Sequence, residues 1–191
     1  MRHFLFLIPS LSALAGIGLD RALAFLRTRG RPFAGAGLAI VTACVLWEAA
    51  TLVRLHPYEY LVYNSLVGGL EGASRRYDLD YWFGSMPEAI NHLEAYLRRT
   101  EPGPESWPTR VYSVAVCGER LPFEKAVTLP QLKWDFKHEW NQSDFFIAPT
   151  QLNCDGDVDG KIIGTVERLG VVIAYIKDLR PLNPPETTTR R

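Results

Sequence analysis

Two long stretches without polar punctuation open the chain. No charged residue occurs from position 4 to 19, and after Asp20-Arg21 the apolar text resumes to position 26. A second charge-free run covers 33 to 47, followed by Glu48 and five more uncharged residues. Neither stretch carries a polar face at helical spacing, as a helix on the surface of a soluble domain would. Each meets the roughly 17–25 residues needed to cross the hydrocarbon core. The pattern predicts two transmembrane helices, 4–26 and 33–53. Gly16, Gly18, Gly35 and Gly37 suit close helix packing, and Pro9 is tolerated in a membrane helix. Asp20 and Arg21 are expected near one end of the first segment, where long side chains reach the interface. Glu48 reads either as an interfacial residue or as a buried functional carboxylate.

From position 55 the pattern changes to short elements. Pro57 stops the second helix. Ser85-Met-Pro87-Glu88 reads as a capping box opening a helix through about Arg99, with Ala89, Ile90, Leu93, Tyr96 and Leu97 as its apolar stripe. Residues 109–117 alternate and are β-branched, which predicts a strand. Residues 129–140 are mixed, with Pro130 as a candidate first helical position. Residues 144–148 read as a buried strand. Residues 161–167 and 171–178 read as two strands joined at Arg168-Leu-Gly170. Residues 181–191 read as a disordered tail without a core. The expected architecture is a membrane α-helical hairpin over 1–54, followed by a small α/β domain with a mixed sheet over 55–180.

Charge sharpens this division. The 191 residues carry 21 Lys+Arg and 21 Asp+Glu, so the whole chain is formally neutral and is not a globally basic nucleic-acid binder. That neutrality is a cancellation. Residues 1–54 hold six Arg, no Lys and two acids, a balance of +4, and the remainder balances it at −4. Three Arg within Arg27-Thr-Arg29-Gly-Arg31 mark the turn between the apolar segments as cytoplasmic. The later residues are then extracytoplasmic, and the chain is expected in a membrane. A secretory signal, with Ala13-Leu14-Ala15 as its cleavage site, is the competing reading. The second full-length segment favours a hairpin.

Candidate chemistry gathers after the second segment. His56, Tyr58, Glu59, Tyr60, Tyr63 and Asn64 follow the membrane exit directly. They read either as the lining of a lipid-phosphate site or as an aromatic anchor at the bilayer surface. Asp78 and Asp80 are carboxylates at i, i+2, a spacing that shares a face in an extended segment, next to Tyr81 and Trp82. Hydrogen bonding to the following helix is the plainer reading. Asp155-Gly-Asp157-Val-Asp159-Gly160 matches the first half of a calcium loop, but position 12 is Val166, so an acidic turn fits better. Cys117 and Cys154 are either a disulfide or separate thiols, while Cys44 reads as a small packing residue in the second helix. No Cys-x-x-Cys, paired His or P-loop Lys is present, so no metal or cofactor is expected. Asn141-Gln142-Ser143 has the form of a glycosylation acceptor.

The opening Arg2-His3-Phe-Leu-Phe-Leu-Ile-Pro9 stands ahead of His56-Pro57-Tyr58-Glu59-Tyr60, Tyr63-Asn64, Val67-Gly68-Gly69, Asp80-Tyr81-Trp82 and Ser85-x-x-Glu88-Ala89. This combination resembles the C-terminal end of bacterial polytopic glycosyltransferases of the protein-O-mannosyltransferase-like, GT-C type. The resemblance is strongest over 2–9 and 56–90. The lipid bilayer is the expected partner, and the resemblance implies a polyprenyl-phosphate-linked sugar or the N-terminal part of such an enzyme as another. In that family a carboxylate in the first extracytoplasmic loop is the usual catalytic residue. That loop has no counterpart in this chain, and two helices stand where the family has about a dozen. The resemblance therefore assigns no catalytic residue. A membrane-anchored extracytoplasmic binding module is the alternative.

Overall fold

The structure, a computed structural model, describes residues 6–101, 110–135 and 140–181. The chain divides into two compact units, one ending at Val53 and the other beginning at Arg54.

The first unit is two helices, α1 (Leu7–Arg29) and α2 (Arg31–Leu55). Their 23 and 25 residues correspond to about 34 and 37 Å, so both are long and apolar enough to cross a membrane. Gly30 alone separates them, at φ 128°, a value that favours glycine. Apolar side chains stand exposed along both helices, including Leu11, Leu14, Ile17, Ile40, Leu46 and Trp47. Because α1 runs to Arg29, Asp20 and Arg21 lie more than two helical turns inside it, further from its end than expected.

The second unit is built on a five-stranded mixed sheet. Its strands are β1 (Tyr112–Val116), β2 (Leu132–Trp134), β3 (Phe145–Pro149), β4 (Lys161–Arg168) and β5 (Val171–Asp178), in the order β2-β1-β3-β5-β4. β1 pairs in parallel with β2 and β3, whereas β5 runs antiparallel to β3 and β4. Every residue of β3 is buried, as a central strand with both faces covered requires. Leu169 (φ 49°) and Gly170 (φ 79°) form the tight β4–β5 turn, as the sequence predicts.

Among the described residues, three α-helices and several short 3-10 turns complete this unit: the α-helices are α3 (Gly69–Ala73), α4 (Met86–Thr100) and α5 (Arg120–Ala126). The apolar stripe of α4 packs on Val114, Val116, Phe145, Ile147, Val166, Ile173 and Ile176. Leu55, Tyr58, Leu61, Leu70, Ala73 and Leu79 enter the same core. Burying each large side chain of this set removes about 1.5–3 kcal/mol of exposure cost, so residues 55–80 are an integral layer of the domain. The opposite face of the sheet buries Ala115, Cys117, Phe146, Ala148, Cys154, Val158 and Leu179.

Three local expectations change. No helix starts at Pro130; the segment forms β2, because pairing Leu132 with Tyr112 extends the sheet. α5 carries no apolar periodicity in sequence and forms around a single buried residue, Phe123. Ser85 occupies the position before α4 but makes no cap, because its hydroxyl is drawn back to Asp80, five residues earlier, as described below. The predicted tail, 181–191, lies almost wholly outside the described residues.

Candidate functional site

Between α2 and α4 the chain forms only α3 and short single-turn helices, so much of its shape is set by side chains. Its first residues follow a cis His56–Pro57 peptide. Tyr58 turns inward to 2% exposure and donates its hydroxyl to Glu88 Oε2 at 2.8 Å. Burial, then Glu88, pushes the Tyr58 phenol well above its ordinary value. Arg168, from the end of β4, grips the same carboxylate with Nη2 to Oε2 at 2.7 Å and Nη1 to Oε1 at 3.1 Å. Its guanidinium lies 4.5 Å from the centre of the Tyr58 ring, and its Nε donates to the His56 carbonyl at 3.2 Å. Burial works to raise the Glu88 carboxyl, but hydrogen bonds from Arg168 and Tyr58 hold it below the usual range.

A second knot lies beside the first. Asp80 is fully buried and accepts the Ser85 N–H on Oδ1 at 3.2 Å and the Ser85 hydroxyl on Oδ2. The Tyr60 hydroxyl approaches Asp80 Oδ1 at 3.4 Å. Burial raises the Asp80 carboxyl, and the Ser85 hydrogen bonds oppose that rise without cancelling it. The rings of Tyr58 and Tyr60 meet edge to face at 6.2 Å, joining the two knots.

The remaining candidates hold the rim. The Tyr63 hydroxyl donates to the Asp78 carbonyl at 3.1 Å, and its ring stacks on Tyr77 at 5.6 Å. Asn64 Oδ1 accepts from the N–H groups of Leu66 and Val67, capping the turn Ser65–Val67. His56 and Glu59 form an exposed pair, Nδ1 to Oε1 2.6 Å, and that bond holds the Glu59 carboxyl below its ordinary value. Tyr81 opens the turn Tyr81–Phe83. Trp82 follows at φ 60° and is 63% exposed.

The structure therefore brings Tyr58, Tyr60 and Asp80 together and adds three residues that local reading gave other roles: Ser85, Glu88 and Arg168. Glu88 and Arg168 lie 80 positions apart, and no local signal marks such a pair. Asp78 and Asp80 do not act as a carboxylate pair, because Asp78 is exposed and Asp80 is buried. Among the described residues no group of His, Cys, Asp and Glu is placed to hold a metal ion.

Compared with protein-family models, curated proteins and solved structures, the chain matches none.

The acidic turn is wired to basic groups. Arg75 makes a two-point bond to Asp155 at 2.8 and 2.7 Å, which lowers the Asp155 carboxyl. Buried Lys177 donates to the carbonyls of Asp155 and Val158, both at 2.6 Å. Two fixed cationic side chains thus stand at this turn. Cys117 and Cys154 are disulfide-bonded there, with Cα atoms 6.1 Å apart, which decides between the two sequence readings. Ser143 of the glycosylation-like triplet is buried with its hydroxyl on Asp135, so that hydroxyl is inside the fold.

At the end of β5, Arg180 binds Asp178 and Glu101, at 2.7 and 2.6 Å, and lies 4.6 Å from the Phe145 ring centre. Burial raises the Asp178 carboxyl, but Arg180 outweighs it and the net shift is downward. This cluster is an internal fastening that joins α4 to the sheet.

Proposed function

We propose that the chain is the C-terminal, membrane-plus-extracytoplasmic part of a polyprenyl-phosphate-sugar-dependent glycosyltransferase of a bacterial inner membrane. In this reading α1 and α2 cross the membrane, the Arg27–Arg31 turn is cytoplasmic, and the α/β domain is periplasmic. One observation carries it. The residues that support the family resemblance are scattered over 56–88, yet they converge in a single hydrogen-bonded layer, Tyr58–Glu88 and Tyr60–Asp80–Ser85. The Cys117–Cys154 bond is compatible with an oxidising compartment.

The layer positions; it does not catalyse. Asp80 and Glu88 are both committed to internal donors, so neither is offered to a substrate. The catalytic carboxylate comes from another part of the enzyme. Transcript sequencing upstream of Met1 tests this. The expected result is a continuous reading frame encoding further membrane helices and an acidic first loop. A transcript that begins at Met1 overturns the reading. Sugar transfer by the purified chain alone, from a polyprenyl-phosphate sugar, overturns the non-catalytic assignment. A periplasm-active reporter fused after Arg191 is expected to be active, and a silent one reverses the topology.

The second reading is a membrane-anchored extracytoplasmic interaction module. The exposed side chains of Tyr60, Leu66 and Trp82 favour it, because a surface that faces only water has no need of them. The same transcript measurement separates the two.

A further inference from the structure

Within the second unit, one stretch keeps several apolar and aromatic side chains out of the core. Tyr60 is 45% exposed, Val62 38%, Leu66 93%, Tyr77 53% and Trp82 63%. All five come from positions 60–82. Other exposed apolar residues of this unit, such as Leu121 on α5 and Ile162 on β4, stand on separate elements.

These side chains are held in place. Tyr60 is fastened to Asp80, which leads directly into the Trp82 turn. Tyr77 is stacked on Tyr63, and Asn64 caps the turn that carries Leu66. Trp82 and Phe83 sit in the left-handed region at φ 60° and 56°, a conformation bulky residues avoid. Gly118 makes room for it: a Cβ at 118 would come within 2.6 Å of the Phe83 ring. Phe83 is thereby locked inward and its neighbour Trp82 is turned outward. Two unfavourable backbone conformations thus stand side by side where Trp82 is 63% exposed.

We propose that Tyr60, Val62, Leu66, Tyr77 and Trp82 form a ledge that rests in the headgroup region of a lipid bilayer. The occupant follows from connectivity. Tyr60 comes five residues after Leu55, the last residue of a helix long and apolar enough to cross a membrane. Five residues reach at most about 18 Å, so the ledge starts within that distance of the point where α2 ends. Tyrosine and tryptophan combine an apolar ring with one polar group, the chemistry suited to that boundary. Leu66 supplies a purely apolar tip. This inference rests on the reading that α1 and α2 span a membrane.

The test uses the full chain with Cys44→Ser, the native disulfide intact, in phosphatidylcholine nanodiscs. Single spin labels are placed through Leu66→Cys and Trp82→Cys, with Leu121→Cys and Ile162→Cys, both more than half exposed, as controls. Power saturation compares accessibility to oxygen, which concentrates in lipid, with accessibility to a water-soluble nickel chelate. The oxygen-to-nickel ratio is expected to be several-fold higher at 66 and 82 than at 121 and 162. Leu66 alone decides the matter if the Trp82 variant misfolds. Equal ratios at all sites, in protein embedded in the discs, overturn the ledge and leave the membrane reading standing. Low accessibility to both agents at 66 and 82 means a protein partner covers the surface, and also overturns it. A chain that fails to enter the discs overturns the membrane reading and the ledge with it.

Discussion

Arg168 and Glu88 form a two-point ion pair, 2.7 and 3.1 Å, between the end of the fourth strand and the first turn of α4. Both side chains are less than a third exposed. The pair also orders the segment after α2, because Glu88 accepts from Tyr58 and Arg168 reaches the His56 carbonyl.

Removing Arg168 strands a half-buried carboxylate and the cation–π contact together. Arg168→Ala is expected to destabilise the domain by about 2 kcal/mol. Arg168→Lys should recover only part of this, since an ammonium cannot reproduce the two-point fork. Denaturant midpoints in detergent solution measure both. A loss for Arg168→Ala no larger than that of Arg120→Ala, an exposed i,i+4 pair with Glu124, would refute the role.

Asp80 and Glu88 should titrate stability in opposite directions. Burial raises Asp80 in the folded state, so its contribution is full below the ordinary carboxylate range and is lost as pH rises through the folded value. Glu88 is lowered, so its contribution is present above the ordinary range and is lost as pH falls through the folded value. Relative to the parent chain, Asp80→Asn therefore gains stability between about pH 3 and pH 7. Over the same rise the deficit of Glu88→Gln grows, and it fades at the acid end. Parallel trends in the two variants would contradict the assignment.

The Cys117–Cys154 bond closes a separation of 37 residues. The loop-entropy relation for such a link corresponds to about 4 kcal/mol, so the double Ser variant should be weaker by that order. Under non-reducing conditions a thiol reagent should add once, at Cys44, to the unfolded chain. Three additions to protein isolated from its native source would place the domain in a reducing compartment.

Lys177 is 8% exposed and serves two carbonyls of the acidic turn. Lys177→Met keeps the apolar stem and removes the donor, leaving those carbonyls to be re-solvated. The expected cost is about 1–3 kcal/mol, with faster amide exchange confined to residues 155–160. Unchanged exchange there would show that the turn does not depend on this lysine.

The division of the chain was legible in the sequence because it depends on composition over long windows. Two charge-free runs need no partner to be recognised, and an amphipathic stripe such as Ala89, Ile90, Leu93 and Leu97 states which face it buries. The closing hairpin was legible for a similar reason, since strand alternation and Gly170 at the turn are local signals. β2 and α5 were not legible. The first exists through its pairing with β1, and the second is anchored by one phenylalanine.

The site divides along the same line. Sequence alone determined which residues crowd the segment after α2, and that the chain carries two helices able to cross a membrane. The hydrogen bonding of Asp80 to the start of the following helix was also read from sequence, and the tertiary structure decided the other roles. It took Ser85 from its cap to Asp80, gave Glu88 to Tyr58 and Arg168, and separated Asp78 from Asp80 by burying one of them. Apolar content and periodicity act over neighbouring residues and so are written along the chain. A hydrogen bond between groups 80 positions apart depends on where the core places them, and it has no local signature.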